Sequence, residues 1–526
     1  MSTAQTAQSP QHATSPTRLL EKRDPVSGAS QGEFPIADKA EVEAAVARAR
    51  AAFPAWRDTP LAERTARLDR LRDVLIDGAE DIARRISEDT GKPRGDVLLT
   101  EVLPTWLLHD FNRKQAPKVL GRHKVKTPIV MAGKTSYVEY FPRGVIGVIS
   151  PWNFPLQLSM APVLSALIGG NTVVLKPSEV TPLTGYLVAE LLARLELPEG
   201  VVEVVHGDGS TGAALTEADI DMIFFTGSVA TGRRVMAAAA RKPIPVELEL
   251  GGKDAMIVCA DAPLERAARG AVWGGLVNCG QVCVSVERVF VVEEIHDRFV
   301  ELCKQEIEKL RVGGPDDDAD VGPMIFGRQL ETVERHVKAA LEDGAELITG
   351  GARLDRPGQF YAPTLLAGVT PEMAVYREET FGPVLGVIKV RDEDEAVRLA
   401  NDHEFGLNGS VWTRDIRKGM RLASRLECGQ ATVNDLISSV ANPSLPFGGV
   451  KSSGLGRYHG VDGLRAFQHT RGIMVDRGVL GREPGWFPNA GKYPAALELV
   501  RGIIGKRLTK TARALVSIAR SSFKDE

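Results

Sequence analysis

The stretch "NCGQVCVSVER", residues 278–288, holds two of the five cysteines, Cys279 and Cys283. Zinc is a poor reading: C-x3-C occurs once here, with no second Cys/His pair nearby. A disulfide is also disfavoured, because four-residue spacing on a helix is awkward for one. A nucleophile would need a thiolate, yet an unperturbed thiol, pKa about 8.5, is only a few per cent ionised at neutral pH. An activating base would change that, and Glu249 in "ELELGGK" is a candidate, set beside two glycines that let backbone approach closely. Taken alone, Glu249 fits a cap or salt bridge equally well, and a buried structural cysteine balances the nucleophile.

Four other stretches carry chemistry, each with a bland alternative. In "PWNFP", Asn153 stands in a rigid two-proline loop after an apolar run. Its amide can donate to a developing oxyanion or make ordinary turn bonds. Lys176 and Glu179 of "VVLKPSEVTP" follow a strand pattern, placed to hold ribose hydroxyls or to lie in a solvated loop. In "FFTGSVATGRRV", Gly227 and Gly232 bracket a strand-to-helix turn that Ser228 can cap. Helix-start amides favour phosphate, but this is not G-x-G-x-x-G, and a plain turn explains it as well.

The elements that position these residues are legible in outline. At 526 residues the chain predicts two or three structural units. Its 43% hydrophobic and 25% charged content is that of a soluble globular protein, and a net charge of −3 makes no case for nucleic acid. No apolar run reaches membrane-span length. Residues 1–17, rich in Ser, Thr, Gln and Pro, read as a disordered tail without a signal-peptide core. An odd, scattered cysteine set then suggests reduced thiols in the cytoplasm. "DKAEVEAAVARARAAFPAW" and "LAERTARLDRLRDVLIDGAEDIARRISEDTG" each predict a helix. From residue 143 onward strands and helices alternate, which predicts a doubly wound α/β domain with a mainly parallel sheet. A second alternating stretch, 257–433, predicts another α/β unit.

Taken together and in order, "PWNFP", "KPSE", "FTGS", "ELGGK", "GQVC", "EETFGPV" (378–384) and "LPFGGVKSSGLGRYHG" (445–460) resemble the aldehyde dehydrogenase superfamily across residues 18–475. The resemblance implies that Cys283 is the nucleophile, that Asn153 and the Cys283 backbone N–H hold the oxyanion, and that Glu249 activates the water that hydrolyses a thioester. Cys279 falls on a flanking position. Trp152, Lys176, Glu179, Gly227, Ser228, Gly232, Glu379 and Phe381 would form the cofactor site. Glu179 points to NAD, with NADP possible, and no metal is implied. The implied fold is α/β, with a Rossmann-like cofactor domain (18–119 and 143–252), an α/β catalytic domain (253–445) and a small β arm (120–142 and 469–480). That arm makes a homodimer or homotetramer in the family, and "KTSYVEYF" fits an edge strand awaiting a partner.

The substrate is constrained by what is missing. Members that oxidise succinic semialdehyde carry an Arg where this chain has Ala161, and "NDLISSVANPSL" (434–445) has no Lys or Arg. An uncharged aliphatic or aromatic aldehyde is therefore expected, with a succinic-semialdehyde or CoA-acylating enzyme as the alternatives and a non-catalytic relative disfavoured by the presence of Cys283, Glu249 and Asn153. Residues 481–526 form an extension in which 495–526 pattern as one basic amphipathic helix. It would dock on protein or make peripheral contact with an anionic membrane.

Overall fold

The computed structural model describes residues 18–478, 483, 485–487 and 489–521. The expected tail, 1–17, lies outside the described residues, as do parts of the extension. The chain forms two compact units, one from residues up to 120 with 142–469, the other from 121–141 with 470 onward.

The first unit is built on two sheets. The six-stranded one runs, in spatial order, Gly454–Leu455, Val246–Glu249, Met222–Thr226, Val145–Ile149, Thr172–Lys176, Val202–Val204. All pairs are parallel except that of Gly454–Leu455. Its central strands, Met222–Thr226, Val145–Ile149 and Thr172–Lys176, are short apolar runs because both faces are covered. Ile146, Val148, Met222 and Phe224 enter one core with the helix Gln157–Ile168, while their neighbours Val145, Ile223 and Phe225 enter another with Val42, Val46 and Ala49 of Lys39–Asp58. Chain order reverses direction between Val145–Ile149 and Met222–Thr226. Open α/β sheets bind ligands in the crevice beyond the strand ends at such a reversal.

The second sheet has seven strands, in the order Glu346–Thr349, Thr364–Ala367, Val384–Val390, Val286–Val292, Asp254–Val258, Asn408–Trp412, Gln430–Val433. Only its Glu346–Thr349 edge pairs antiparallel. The expected division at 252/253 falls in the loop between the two sheets. The second unit holds most of a three-stranded sheet in which Lys134–Pro142 lies between Gln468–Asp476 and His123–Val125.

Three expectations are corrected. "KTSYVEYF" is a central strand rather than an edge, because Gln468–Asp476 and His123–Val125 pair on its two sides. The helix expected over 61–91 is two, Leu61–Leu68 and Leu71–Thr90. It breaks where Asp69 accepts a 3.0 Å hydrogen bond from buried His109. The single helix expected over 495–526 is a hairpin, Tyr493–Ile504 and Leu508–Ser521, turned at Gly505–Arg507 with Lys506 at φ 51°. The hairpin Leu19–Arg23 with Ser30–Pro35, and the helices over 94–119, had no clear periodic signal.

Candidate active site

The loops after the switch-point strands carry the first part of the site. Trp152, Lys176, Glu179, Gly227 and Ser228 line one cleft of about 1340 Å³. Lys176 is buried at the end of its strand, and its ammonium pairs with Glu179 at 2.5 Å. Ser228 caps the helix Val229–Ala239, its hydroxyl accepting the Thr231 N–H at 3.3 Å, so the positive end of that helix stands at the cleft wall. The Gly227 N–H is itself committed to the Glu249 carbonyl at 3.0 Å. Gly232 is buried, and an added Cβ would meet the Leu250 side chain at 2.6 Å, so it serves close packing of that helix.

The cysteine loop is held in a conformation that spacing alone does not reveal. Asn278, Cys279 and Gly280 are consecutive left-handed residues with φ of 51°, 56° and 69°. Each non-glycine residue there costs roughly 1–2 kcal/mol, so the loop must be over-determined by its surroundings. The Asn278 amide donates to the carbonyls of Asn153 at 3.0 Å and Gln281 at 3.2 Å. The Gln281 amide returns a bond to the Asn278 carbonyl at 2.9 Å, and its oxygen accepts the Ile325 N–H at 2.8 Å. Asn153 donates one amide hydrogen to the Gln281 carbonyl at 3.0 Å, leaving the other for a ligand. At Gly280 a Cβ would stand 2.0 Å from the Gly382 carbonyl oxygen. Gly280→Ala is expected to shift this loop by an ångström-scale amount and lower kcat about 100-fold, with a lower melting temperature. Wild-type kcat in that variant would show the loop geometry to be dispensable.

This turn separates the two thiols. Cys279 is fully buried against Met324, sulfur to sulfur 3.7 Å, and burial pushes its thiol far up. Cys283 keeps a partly exposed edge. Its thiol is also pushed up, first by the interior packing around it, then by Asp254, Glu249 and Glu379; the Val284 N–H pulls the other way. Glu249, at the end of its strand, is 4% exposed, and neither carboxyl oxygen has a hydrogen-bond partner among the described residues. Burial, then Glu247, raises its proton affinity well above the usual carboxyl range, with Arg457 opposing.

The glycine pair Gly251–Gly252 ties these groups together. A Cβ on Gly251 would meet the Glu379 carboxylate at 2.3 Å, and one on Gly252 the Cys283 carbonyl at 2.2 Å. Glu379 accepts the Gly252 N–H at 2.9 Å, and burial pushes its carboxyl up to about 8. Phe381, at φ 50°, stands edge-on to Trp152, with ring centres 5.4 Å apart.

Two positioning residues escaped sequence reasoning. Glu287 accepts the N–H groups of Thr380 at 2.8 Å and Phe381 at 3.1 Å and pairs with buried Lys253, which pins the "EETFGPV" turn. Glu101, fully buried in a π-helical turn, pairs with Lys92 at 2.7 Å and accepts the Leu156 N–H at 2.8 Å, which anchors the loop carrying Asn153. A buried Glu within an apolar helix was the available signal. A cysteine with two acids, Cys259, Asp261 and Glu393, has metal-compatible spacing. The Lys418 ammonium already sits 2.6 Å from Asp261 and 3.0 Å from Glu393, which satisfies those acids without a metal.

A doubly wound sheet with a cleft at its switch point, together with a half-buried cysteine, a buried amide and a buried carboxyl in the same unit, makes a candidate α/β enzyme site. The aldehyde dehydrogenase family profile matches residues 12–473. The 4,4'-diapolycopene aldehyde oxidase of Methylomonas sp. is 44% identical over 88% of this chain and 87% of its own. A protein of Mycobacterium tuberculosis named as a succinate-semialdehyde dehydrogenase using NADP is 37% identical over 94% and 95%. The crystal structure of an M. tuberculosis aldehyde dehydrogenase complexed with NAD+ superposes with a TM-score of 0.84 at 37% identity, over 89% of this chain and 96% of that one. The chain belongs to the aldehyde dehydrogenase family and is an oxidoreductase acting on aldehydes.

Proposed function

We propose that this enzyme oxidises an uncharged, hydrophobic aldehyde to its carboxylic acid through a thioester on Cys283. The observation that carries the reading is the convergence of Cys283 and the unpartnered Glu249 carboxyl beside Gly251–Gly252, next to the Asn153 amide. The Cys283 thiol loses its proton to water, and its sulfur adds to the aldehyde carbon as the carbonyl π bond opens. The free Asn153 amide hydrogen and the Cys283 N–H stabilise the oxyanion that forms. Bound NAD supplies the acceptor for the hydride that the adduct must lose to become a thioester. Glu249 then takes a proton from water, the hydroxide adds to the thioester carbon, and the carbon–sulfur bond breaks to release the acid and return the thiol.

The cleft suits a dinucleotide. In this reading Lys176 and Glu179 would hold the adenosine ribose, Gly227 and Ser228 would lie by the pyrophosphate, Glu379 would hold the nicotinamide ribose, and Trp152 and Phe381 would pack beside the ring. The Glu179 carboxylate accepts bonds from ribose hydroxyls and repels an added phosphate, which favours NAD over NADP. Ala161 is buried and uncharged, and the 434–445 segment has no basic residue to meet a distal carboxylate. The 44% identity to an enzyme named for a hydrocarbon-chain aldehyde agrees with that, against 37% to one named for succinate semialdehyde. Glu249 favours water over CoA as the acyl acceptor.

Purified enzyme is expected to form NADH from hexanal, decanal and benzaldehyde without CoA, and far more slowly from succinic semialdehyde. Turnover confined to succinic semialdehyde, or dependent on CoA, would overturn the substrate or acceptor assignment. Assembly as a homo-oligomer fits the nine-residue edge strand Gln468–Asp476, where Met474 is 53% exposed. The five free thiols suit a reducing cytoplasm. Among the described residues no helix is long and apolar enough to cross a membrane, and the C-terminal hairpin offers a surface for peripheral contact instead.

A further inference from the structure

The C-terminal helices are packed through small residues. Gly502 is buried, and a Cβ there would meet the Thr511 backbone nitrogen at 2.8 Å. Thr511, Ala514 and Ile518 are buried in the same unit. This leaves larger apolar groups outward. Tyr493 is 75% exposed, Val500 50% and Ile504 78%, and their spacing of seven and four places them on one stripe of the first helix. Just before it, Trp486 is 60% and Phe487 82% exposed.

The charge is one-sided. Arg501, Lys506, Arg507, Lys510 and Arg513 are all exposed, with no acid between residues 499 and 513. They cluster at and beside the turn, next to Ile503 and Ile504. The family profile ends at residue 473, before the hairpin begins.

We propose that this hairpin docks the enzyme on an anionic phospholipid surface, with Tyr493, Val500 and Ile504 entering the headgroup boundary and the bases of residues 501–513 meeting lipid phosphates. Exposed aromatic and branched apolar side chains flanked by bases are the composition that settles at that boundary. Helices of 12 and 14 residues are too short to span the bilayer, so the hairpin lies on it. A second copy of the chain is the poorer occupant, because a two-fold contact would set this basic face against itself. Docking would let the enzyme draw aldehydes from the bilayer. That consequence rests on the proposed apolar substrate, whereas the docking does not.

The test uses the full chain with sedimenting vesicles. Intact enzyme is expected to bind vesicles containing phosphatidylglycerol, to bind phosphatidylcholine vesicles weakly, and to release in high salt. Each base removed should weaken binding about fivefold, so the double variant Lys506→Ala/Arg507→Ala should lose about 25-fold. Ile504→Asp should lose binding at every salt concentration. Both variants should keep wild-type kcat on hexanal in solution, which separates this proposal from the catalytic one. No binding by the intact protein, equal binding to both vesicle types, or unchanged binding in the variants would overturn the proposal. So would a fall in oligomeric mass in Ile504→Asp without any lipid binding by the wild type, since the face would then be a contact between copies.

Discussion

Cys283→Ala is expected to abolish aldehyde oxidation, by on the order of 10⁴-fold or more, while Cys279→Ala keeps kcat close to wild type. The two thiols are four residues apart and titrate in the same upward direction, yet their surroundings differ. Cys279 is sealed against Met324, and its removal leaves a small cavity costing about 1–2 kcal/mol of stability. Cys283 has a partly exposed edge, lies beside the Glu249 carboxyl and receives the Val284 N–H. The checks are NADH turnover and a thermal melt on both variants. A folded, inactive Cys279→Ala with an active Cys283→Ala would reverse the assignment. The same physics sets a pH dependence. Burial, and then Asp254, Glu249 and Glu379, push the Cys283 thiol up. Its alkylation by iodoacetamide in the cofactor-free enzyme should therefore be slow at neutral pH and keep accelerating well above pH 8.5, the usual thiol value of about that figure. A rate that levels off below it would show a thiolate already stabilised.

Glu249→Gln is expected to give a different failure. It should form about one NADH per active site and then stall, with steady-state turnover reduced about 10²–10⁴-fold. The amide fills the same space as the carboxyl but cannot take the proton of the hydrolytic water. Mass spectrometry of the stalled enzyme should show the acyl group on Cys283. Wild-type steady-state turnover in this variant would remove Glu249 from the deacylation step. In the proposed mechanism the working form of Glu249 is the carboxylate, and its folded-state proton affinity is raised. Hydrolysis should therefore fall as pH drops through a value above the ordinary Glu range of about 4.3. Glu247, on the same face of the strand and itself pushed up to about 8, is part of that shift. Replacing it with Gln removes a repelling carboxylate and should move the acid limb to lower pH.

Much of the site is legible because its groups sit at the ends of regular elements. Asn153, Lys176 and Gly227 each end or follow a short apolar run that is buried as a parallel strand, and Glu249 ends the alternating strand beside them, so these groups converge at the carboxyl end of one sheet. Glu101 and Glu287 were not legible in this way. Each acts through backbone N–H groups 55 and 93 residues away in sequence, at Leu156 and Thr380, and no local pattern reports such a partner.

The C-terminal extension shows the same limit. Its apolar positions at helical spacing are real, but Gly502 and Gly505 let the chain fold back on itself and turn one apparent face into a buried seam and an exposed stripe. Likewise "KTSYVEYF" announces a strand by alternation, while its place in the middle of a sheet depends on Gln468–Asp476, more than 300 residues later.

From the sequence alone came the alternating α/β order, the ordered motifs and, with them, the proposed nucleophile, amide and base. Tertiary structure decided which thiol is sealed, which carboxyls are stripped of water, which strand is the edge and which apolar residues remain outside. Periodicity and motif spacing are local properties of the chain. Burial, proton affinity and strand neighbours are set by groups that only folding brings within a few ångströms of one another.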